Sequence, residues 1–394
     1  MTSLFNKLCE YSYRENYIRK FFKDRAASKK SKNCEEIIEY ILSDRCAEDI
    51  KRLSEGDIFF KPPVMKMLPK GDGAYRRVFS YDSKDRALLG MINRALFDSC
   101  DYLFSENLYS YRRGISNYDA FKKIRSIEER DKLYAYKADV KAYDACIDGG
   151  KLKEMLEEKI DDKEMAAFLC RFIEQDEYIY KGEVCLERQA VKAGSPLTPF
   201  FEDLFLTDYD EKIVSLCADY FRVNDDILIY GTKKQTEECE AFTKEFFAEK
   251  HLIINEQKSR IFQPGEEITF LGMEIGEDLD ISSSAIEDIR RVLTKKARAV
   301  LSLKRELCLS DDTAMSLMLK FEQNLYSELL LLFGRVNKTD GIRKIDSIMQ
   351  DCLRIVGSGK FGRGRYRIRY KALQELGYVP LINIYYQWEW KKKA

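Results

Sequence analysis

Two carboxylates stand side by side in RVNDDILIY, residues 222–230. Asp225 and Asp226 repel each other, yet Asn-Asp-Asp between two apolar runs is also a good hairpin turn that needs no chemistry, because Asn and Asp favour turns. Asp139 changes the balance. It sits in a second apolar strand pattern, residues 134–140. If the two strands are sheet neighbours, Asp139 meets Asp225 across them. Carboxylates about 4 Å apart repel by roughly 4 kcal/mol at an effective dielectric near ~20, and a divalent cation between them removes the conflict. The only histidine is His251, so hard oxygen ligands point to Mg2+, or to Mn2+. Two such ions on shared carboxylates make a phosphoryl-transfer site. A substrate carrying phosphates then needs cationic clamps, and Lys70, Arg76 and Arg77 in PKGDGAYRR are placed to supply them.

The 394 residues exceed one ordinary domain, and 45% hydrophobic content supports a sizeable core. The 67 basic residues balance 67 acidic ones, which argues against a uniformly basic coat. The charges are segregated, however, with Arg14, Arg19, Lys20, Lys23 and Arg25 crowding the amino end. A neutral sum with basic faces suits a polyanion groove. Eleven cysteines with no C-x-x-C pair suggest neither a disulfide framework nor a zinc site, and point to a reducing cytoplasm. No signal peptide or bilayer-length apolar run is visible, so no membrane partner is expected.

The elements that must position these residues can be read from pattern. Residues 1–55 read as basic amphipathic helices. KPPVMKMLPKGDGAYRRVFSY reads as a hairpin or lid, and DSKDRALLGMINRALFDSC as a helix. EYIYKGEVCLERQAV reads as a hairpin turning at Lys181-Gly182, and AGSPLTPFFEDLFLTDYDEKIV as turn residues opening one helix. KKQTEECEAFTKEFFAEKH is an amphipathic helix with Ala241, Phe242, Phe246 and Phe247 toward the core, and EITFLGMEIGEDLDI is a further hairpin. From Ser283 the pattern is helical, with Ile286, Ile289, Leu293, Ala297 and Val300 on one face. Strands in the middle and helices at the ends, without an internal repeat, indicate an α+β fold.

With these residues in place, positions 58–275 resemble a bacterial reverse transcriptase of the group II intron, retron and abortive-infection or defence-associated kind. LPKGDGAYRR is similar to the family's triphosphate-gripping fingers segment, and YSYRRGIS, with Arg112 and Arg113, to the next fingers motif. ADVKAYD is similar to the first palm motif, AGSPLTPFFEDLFL to the segment opening the palm helix, and NDDILIYGT to the catalytic hairpin. LIINEQKSRI resembles the motif after it, and FLGMEI, with Phe270, Leu271 and Gly272, the primer grip. Several such motifs in the family's order weigh far more than one.

The resemblance implies a right-hand polymerase with fingers, an antiparallel-sheet palm and a helical thumb. The implied divisions are a basic extension at 1–55, fingers at 56–125, palm at 126–280 with part of the fingers inserted, thumb at 281–355 and a basic aromatic segment at 356–394. It implies that Asp139, Asp225 and Asp226 hold two Mg2+ ions, with the Val140 carbonyl completing one shell. Lys70 and Arg76 would bind triphosphate, Gly194 and Ser195 would approach the nucleotide, and Lys258 would protonate pyrophosphate. The implied partners are dNTPs, an RNA template or structured non-coding RNA, a DNA product, and a partner protein or second copy of the chain. The implied reaction is RNA-directed DNA synthesis, with a role in antiviral defence. A template-independent or RNA-synthesising nucleotidyltransferase, and a catalytically silent nucleic-acid-binding scaffold, stay open as alternatives.

Three departures stand out. Val223 and Asn224 precede the aspartate pair where the family has Tyr-Ala, and Ala193 stands where it usually has Gln. Five residues after Asp139, where an aromatic commonly blocks a ribose 2′-OH, stands Asp144, with Tyr143 one earlier. Either Tyr143 gates the sugar or sugar choice is relaxed. Beyond residue 280 the resemblance fades. The helix over 286–309 supplies an apolar stripe and bases, Arg290 and Lys295 among them, for a duplex backbone. In KFGRGRYRIRYK the period of two puts Arg363, Arg365, Arg367 and Arg369 on one face of a strand, a row suited to phosphates.

Overall fold

The computed structural model describes residues 3–22, 32–57, 60–69, 75–333 and 336–393. Lys70, Lys23 and Arg25 lie outside the described residues. The chain divides into two compact units, Met1–Ala120 with Tyr134–Phe262, and Phe121–Leu133 with Gln263–Ala394. Both mix helices and strands, in keeping with the α+β expectation.

In the first unit, helices α1 (Leu4–Cys9), α2 (Tyr11–Tyr17), α3 (Lys32–Leu42) and α4 (Asp44–Glu55) precede a hairpin of β1 (Val64–Pro69) and β2 (Tyr75–Ser80). The long helix α5 (Ser83–Ser99) buries Leu88, Leu89, Ile92 and Leu96, and its N-cap Asp82 accepts from the amides of Lys84 and Asp85. Helix α6 (Asn117–Arg125) begins in this unit and runs on into the second; β3 (Tyr134–Ala138), the short α7 (Tyr143–Cys146), α8 (Gly149–Lys159) and α9 (Lys163–Ile173) follow. Strands β4 (Glu177–Tyr180) and β5 (Glu183–Leu186) pair through a two-residue turn. Both turn residues, Lys181 and Gly182, have positive φ, the conformation that matches strand twist in a tight hairpin.

The palm-like helical segment is two helices, α10 (Thr198–Phe205) and α11 (Thr207–Leu216), rather than the single one its pattern suggests. The chain leaves helical geometry at Leu206, with φ −106 and ψ 12. Asp203 and Asp210, seven residues apart and so on nearly the same helical face, both point inward, where each is at most 1% exposed. Strands β6 (Asp219–Val223) and β7 (Asp226–Gly231) follow, then α12 (Lys233–Glu249) and β8 (Arg260–Phe262). A full capping box, Thr232 with Gln235, starts α12. Phe246 and Phe247 are buried and Phe242 stacks on Tyr209 at 5.7 Å. Ala241 is exposed, a correction to the sequence reading, because it lies about 140° around the helix from Phe246 at 3.6 residues per turn.

Two sheets matter here. One runs β2-β1-β4-β5, and the other β6-β7-β3-β8. In the second, β3 pairs antiparallel with β7 on one side and β8 on the other, so the strand carrying Asp139 adjoins the strand following the Asp225 turn.

In the second unit, β9 (Ile268–Phe270), β10 (Met273–Ile275) and β11 (Leu279–Ile281) form a three-stranded antiparallel meander, one strand more than the expected hairpin. Helices α13 (Ser283–Glu306), α14 (Asp311–Phe333) and α15 (Asp340–Ser358) follow. Ile286, Leu293, Ala297 and Val300 are buried along α13 as the spacing predicts. The arginine-rich tail departs from expectation. Residues Arg363–Arg367 form a 3-10 helix, not a strand. Arg365 folds back to donate to Asp351 Oδ2 at 2.9 Å and Phe361 O at 3.0 Å, so the four arginines share no single face. Helices α16 (Tyr370–Glu375) and α17 (Leu381–Lys393) close the chain.

Candidate active site

The β3–β7 ladder ends with Ala138 opposite Ile227. One residue further along each strand stand Asp139 and Asp226, and Asp225 sits in the turn joining β6 to β7, where Val223 faces Asp226. The residue across the sheet from Asp139 is thus Asp226 rather than Asp225, which stands one residue earlier in the turn.

Asp139 is held at several points. Its amide donates to Ser259 Oγ at 3.0 Å and its carbonyl accepts from Asn255 N at 2.8 Å. Its carboxylate accepts from Asn255 Nδ2 at 2.7 Å and pairs with Lys258 Nζ at 3.4 Å. Burial, followed by the charges of Asp226 and Asp139, pushes the Asp225 carboxyl up to about 6, with Arg76 pulling the other way. Burial and Asp139 raise Asp226 as well, opposed by Lys137 and Lys258. Three carboxylates thus crowd one end of the sheet, and burial with their mutual repulsion raises two of them.

Asp139, Val140, Asp144, Asp225 and Lys258 line a cavity of about 630 Å³, together with Arg76, Arg77, Tyr143 and Gln189. The size suits a nucleotide-scale ligand. Arg76, 59% exposed, stands 3.9 Å from Asp144. Arg77 is fixed by a two-pronged bond to Glu187, at 2.6 and 2.9 Å, and by Gln189 Oε1 at 2.6 Å. Gln189 in turn donates to Val191 O at 2.8 Å. Sequence reasoning looked for a glutamine at 193 and missed this one four residues earlier. The Ala193 carbonyl instead accepts from Phe79 N at 2.7 Å.

Tyr143 is 3% exposed and donates its hydroxyl to Glu202 O at 2.6 Å. Its ring is committed to the core. Gly194 and Ser195 are not among the cavity-lining residues. Gly194 has φ +92, and a Cβ there would lie 2.7 Å from Val78 Cγ1 and 2.8 Å from Phe79 O, so its missing side chain serves the contact with β2. Ser195 is buried.

The remaining positions are scattered. Arg112 is tied to Asp101 at 2.8 Å and to Ser105 O, whereas Arg113 is exposed. Phe270 is fully buried against Phe121. Leu271 and Gly272 form a positive-φ pair between β9 and β10. Arg290 pairs with Glu287 on its own helix at 3.0 Å. Lys295, Arg363 and Arg369 are exposed, and Arg367 reaches Asp311 at 3.5 Å.

A second group was not anticipated. Arg222, Asp203, Asp210, Tyr220 and Ser110 form a buried polar network behind the turn. Beside it Glu202 is driven up to about 8, first by burial, then by Asp144 and Asp225. The only sequence signal was an arginine inside an otherwise apolar strand.

Among the described residues, no group of three or more His, Cys, Asp and Glu side chains is arranged as a ready-made metal cage. Asp139 spends its oxygens on Asn255 and Lys258. The donor chemistry still fits a hard divalent cation: Asp139 and Asp225 open on one cavity beside Val140, and the carboxyls repel one another.

The profile of the reverse transcriptase (RNA-dependent DNA polymerase) family matches residues 68–275, and the chain belongs to that family. Its members typically use divalent metals and bind a nucleic-acid template. Apo telomerase from Candida tropicalis aligns over 80% of this chain and 59% of its own at 14% identity, with a TM-score of 0.48. Its form truncated from the C-terminal domain aligns over 57% and 55%, also at 14%, with a TM-score of 0.45. Telomerase from Candida albicans in complex with a TWJ fragment of telomeric RNA aligns over 87% and 71% at 12%, with a TM-score of 0.44. No curated protein sequence matches the chain. No helix among the described residues is long and apolar enough to cross a membrane.

Proposed function

We propose that the chain is an RNA-directed DNA polymerase that extends a 3′-hydroxyl by attack on the α-phosphate of a bound dNTP, releasing pyrophosphate. One observation carries this reading: Asp139, just past the end of β3, and Asp225, in the β6–β7 turn, open on a nucleotide-sized cavity with Arg76 and Lys258 in its wall. Asp139, Asp225, Asp226 and the Val140 carbonyl would hold two Mg2+ ions, with Mn2+ as a substitute. Bound there, the ions would supply activation of the primer hydroxyl and stabilisation of the leaving oxygens.

The chain's own residues do the rest. Arg76 reaches from β2 to the phosphates, and Lys70, six residues before it in the sequence, is the second cation proposed for them. Arg77, held by Glu187 and Gln189, keeps that strand in register with the cavity. Lys258 carries a proton at Nζ close to Asp139 and hands it to the departing pyrophosphate. Gly194, packed against Val78 and Phe79, supports the strand that carries Arg76, and with Ser195 it is the proposed backbone support beneath the nucleotide.

In this reading residues 56–125 act as fingers, 126–280 as palm, 281–355 as thumb, and 1–55 and 356–394 as flanking segments. Arg113, Lys295, Arg363 and Arg369 are the exposed bases offered to template, structured RNA or DNA product. Closeness to bacterial retron or group II intron enzymes, a place in antiviral defence, and a protein partner or second copy rest on analogy alone.

A second reading, an RNA-synthesising enzyme, is favoured by the sugar end of the cavity. Tyr143 is occupied with Glu202, and Asp144, a hydrogen-bond acceptor, stands in the wall. Labelled dNTPs and rNTPs offered separately, with and without a primed RNA template, decide between them. Template-dependent dNTP incorporation supports the first reading. Incorporation confined to rNTPs, or indifferent to template, overturns it.

A further inference from the structure

Residues 107–110 run alongside β6. Arg222 N donates to Asn107 O at 2.9 Å and Tyr109 N to Arg222 O at 2.8 Å. This brings Ser110 to the turn that carries the aspartate pair. Asn224 N donates to Ser110 Oγ at 3.1 Å. The Ser110 hydroxyl faces both oxygens of Asp203, at 2.9 and 3.1 Å. From the other side, Arg222 Nη1 donates to Asn224 O at 2.9 Å. The same guanidinium binds Asp210 at 2.6 and 2.7 Å and Asp203 at 3.3 Å. Arg222 and Asp203 are wholly buried.

Both main-chain groups of Asn224 are therefore captured by one buried network, and Asn224 has φ +57, a conformation uncommon outside glycine. The plain alternative is that the network merely helps β6 fold. Buried ion clusters are poor stabilisers compared with apolar packing of similar volume. Here the donors and acceptors converge on the one residue that precedes Asp225. Resting on the polymerase reading above, we propose that Ser110 is a positioning residue. Through Asn224 it fixes the turn so that Asp225 is presented to the cavity, with Asp226 beside it, before substrate arrives.

The test compares wild type, Ser110→Ala and Ser110→Thr. One assay is steady-state nucleotide incorporation; the other is Mn2+ binding to the nucleotide-free chain by electron paramagnetic resonance. Loss of the hydroxyl that accepts from Asn224 N and donates to Asp203 is expected to lower kcat in Ser110→Ala by about tenfold, with the nucleotide KM unchanged. Mn2+ binding weakens in parallel, and Ser110→Thr restores both. A folded Ser110→Ala with wild-type kcat and wild-type Mn2+ binding overturns the proposal, as does a loss that threonine does not rescue. If Ser110→Ala fails to fold, Ser110→Cys, similar in size with a weaker donor and acceptor, carries the same comparison. If the wild type incorporates neither sugar form, the polymerase reading falls. The Mn2+ comparison then still judges the cradle.

Discussion

Lys258 Nζ stands 3.4 Å from Asp139 Oδ2, the ammonium 60% exposed and the carboxylate side chain 12%. The proposed proton donor is thus the present neutraliser of a proposed metal ligand. A cation binding at Asp139 must loosen this pair. Lys258→Met is expected to tighten Mn2+ binding to the nucleotide-free chain by about two- to fivefold, the scale of a partly exposed ion pair. Turnover should fall by about a hundredfold if Lys258 protonates the leaving group. Titration of Mn2+ beside single-turnover kinetics reads both. Unchanged values in both would make Lys258 an ordinary surface lysine.

Sugar choice should follow Asp144, not Tyr143. Tyr143→Phe removes a buried hydrogen bond to Glu202 O and is expected to cost about 1 kcal/mol of stability without altering the ratio of rNTP to dNTP incorporation. Asp144→Ala removes the acceptor from the cavity wall and is expected to lower that ratio. Competition assays with both nucleotide forms measure it. A changed ratio in Tyr143→Phe alone would assign sugar choice to the Tyr143 hydroxyl instead.

The buried carboxyls make stability depend on pH. Glu202 is raised from its usual 4.5 to about 8 and Asp203 to about 7. The folded chain therefore holds protons there that the unfolded chain has released. Its stability falls as pH rises from near 4.5 towards 8, by at most about 1.4 kcal/mol per pH unit for each proton. Urea midpoints measured with a chelator at about pH 6 and about pH 8 should differ in that direction. Glu202→Gln should shrink the difference without abolishing it, because Asp203 still titrates.

Arg222→Met would remove the buried partner of Asp210, paired at 2.6 Å, and is expected to destabilise the chain by about 3–5 kcal/mol. Arg367→Met, which removes a partner from the half-exposed Asp311, should cost no more than about 1 kcal/mol. Denaturant midpoints compare the two. Equal costs would deny the network its buried, ionised character.

Much of the central sheet was legible because its strands alternate and its turns use turn residues. The pairing of β3 with β7 is what the Asp139 pattern predicts, and the Lys181-Gly182 turn needs the positive φ those residues show. The arginine tail misled because period two is only a strand signal when a ladder partner exists. Here Asp351 and nearby carbonyls take Arg365 instead. The inward role of Asp203 and Asp210 had no local signal either, since their partner Arg222 lies twelve or more residues away. Gln189 escaped because its role depends on Arg77, over a hundred residues upstream.

The account stands or falls on whether the aspartates at the end of β3 and in the β6–β7 turn drive nucleotide incorporation. Primer extension on an RNA template with Mg2+ and dNTPs should proceed with the wild-type chain. It should fall to background in the folded Asp225→Asn, Asp226→Asn double variant. Undiminished extension by that variant would contradict the account.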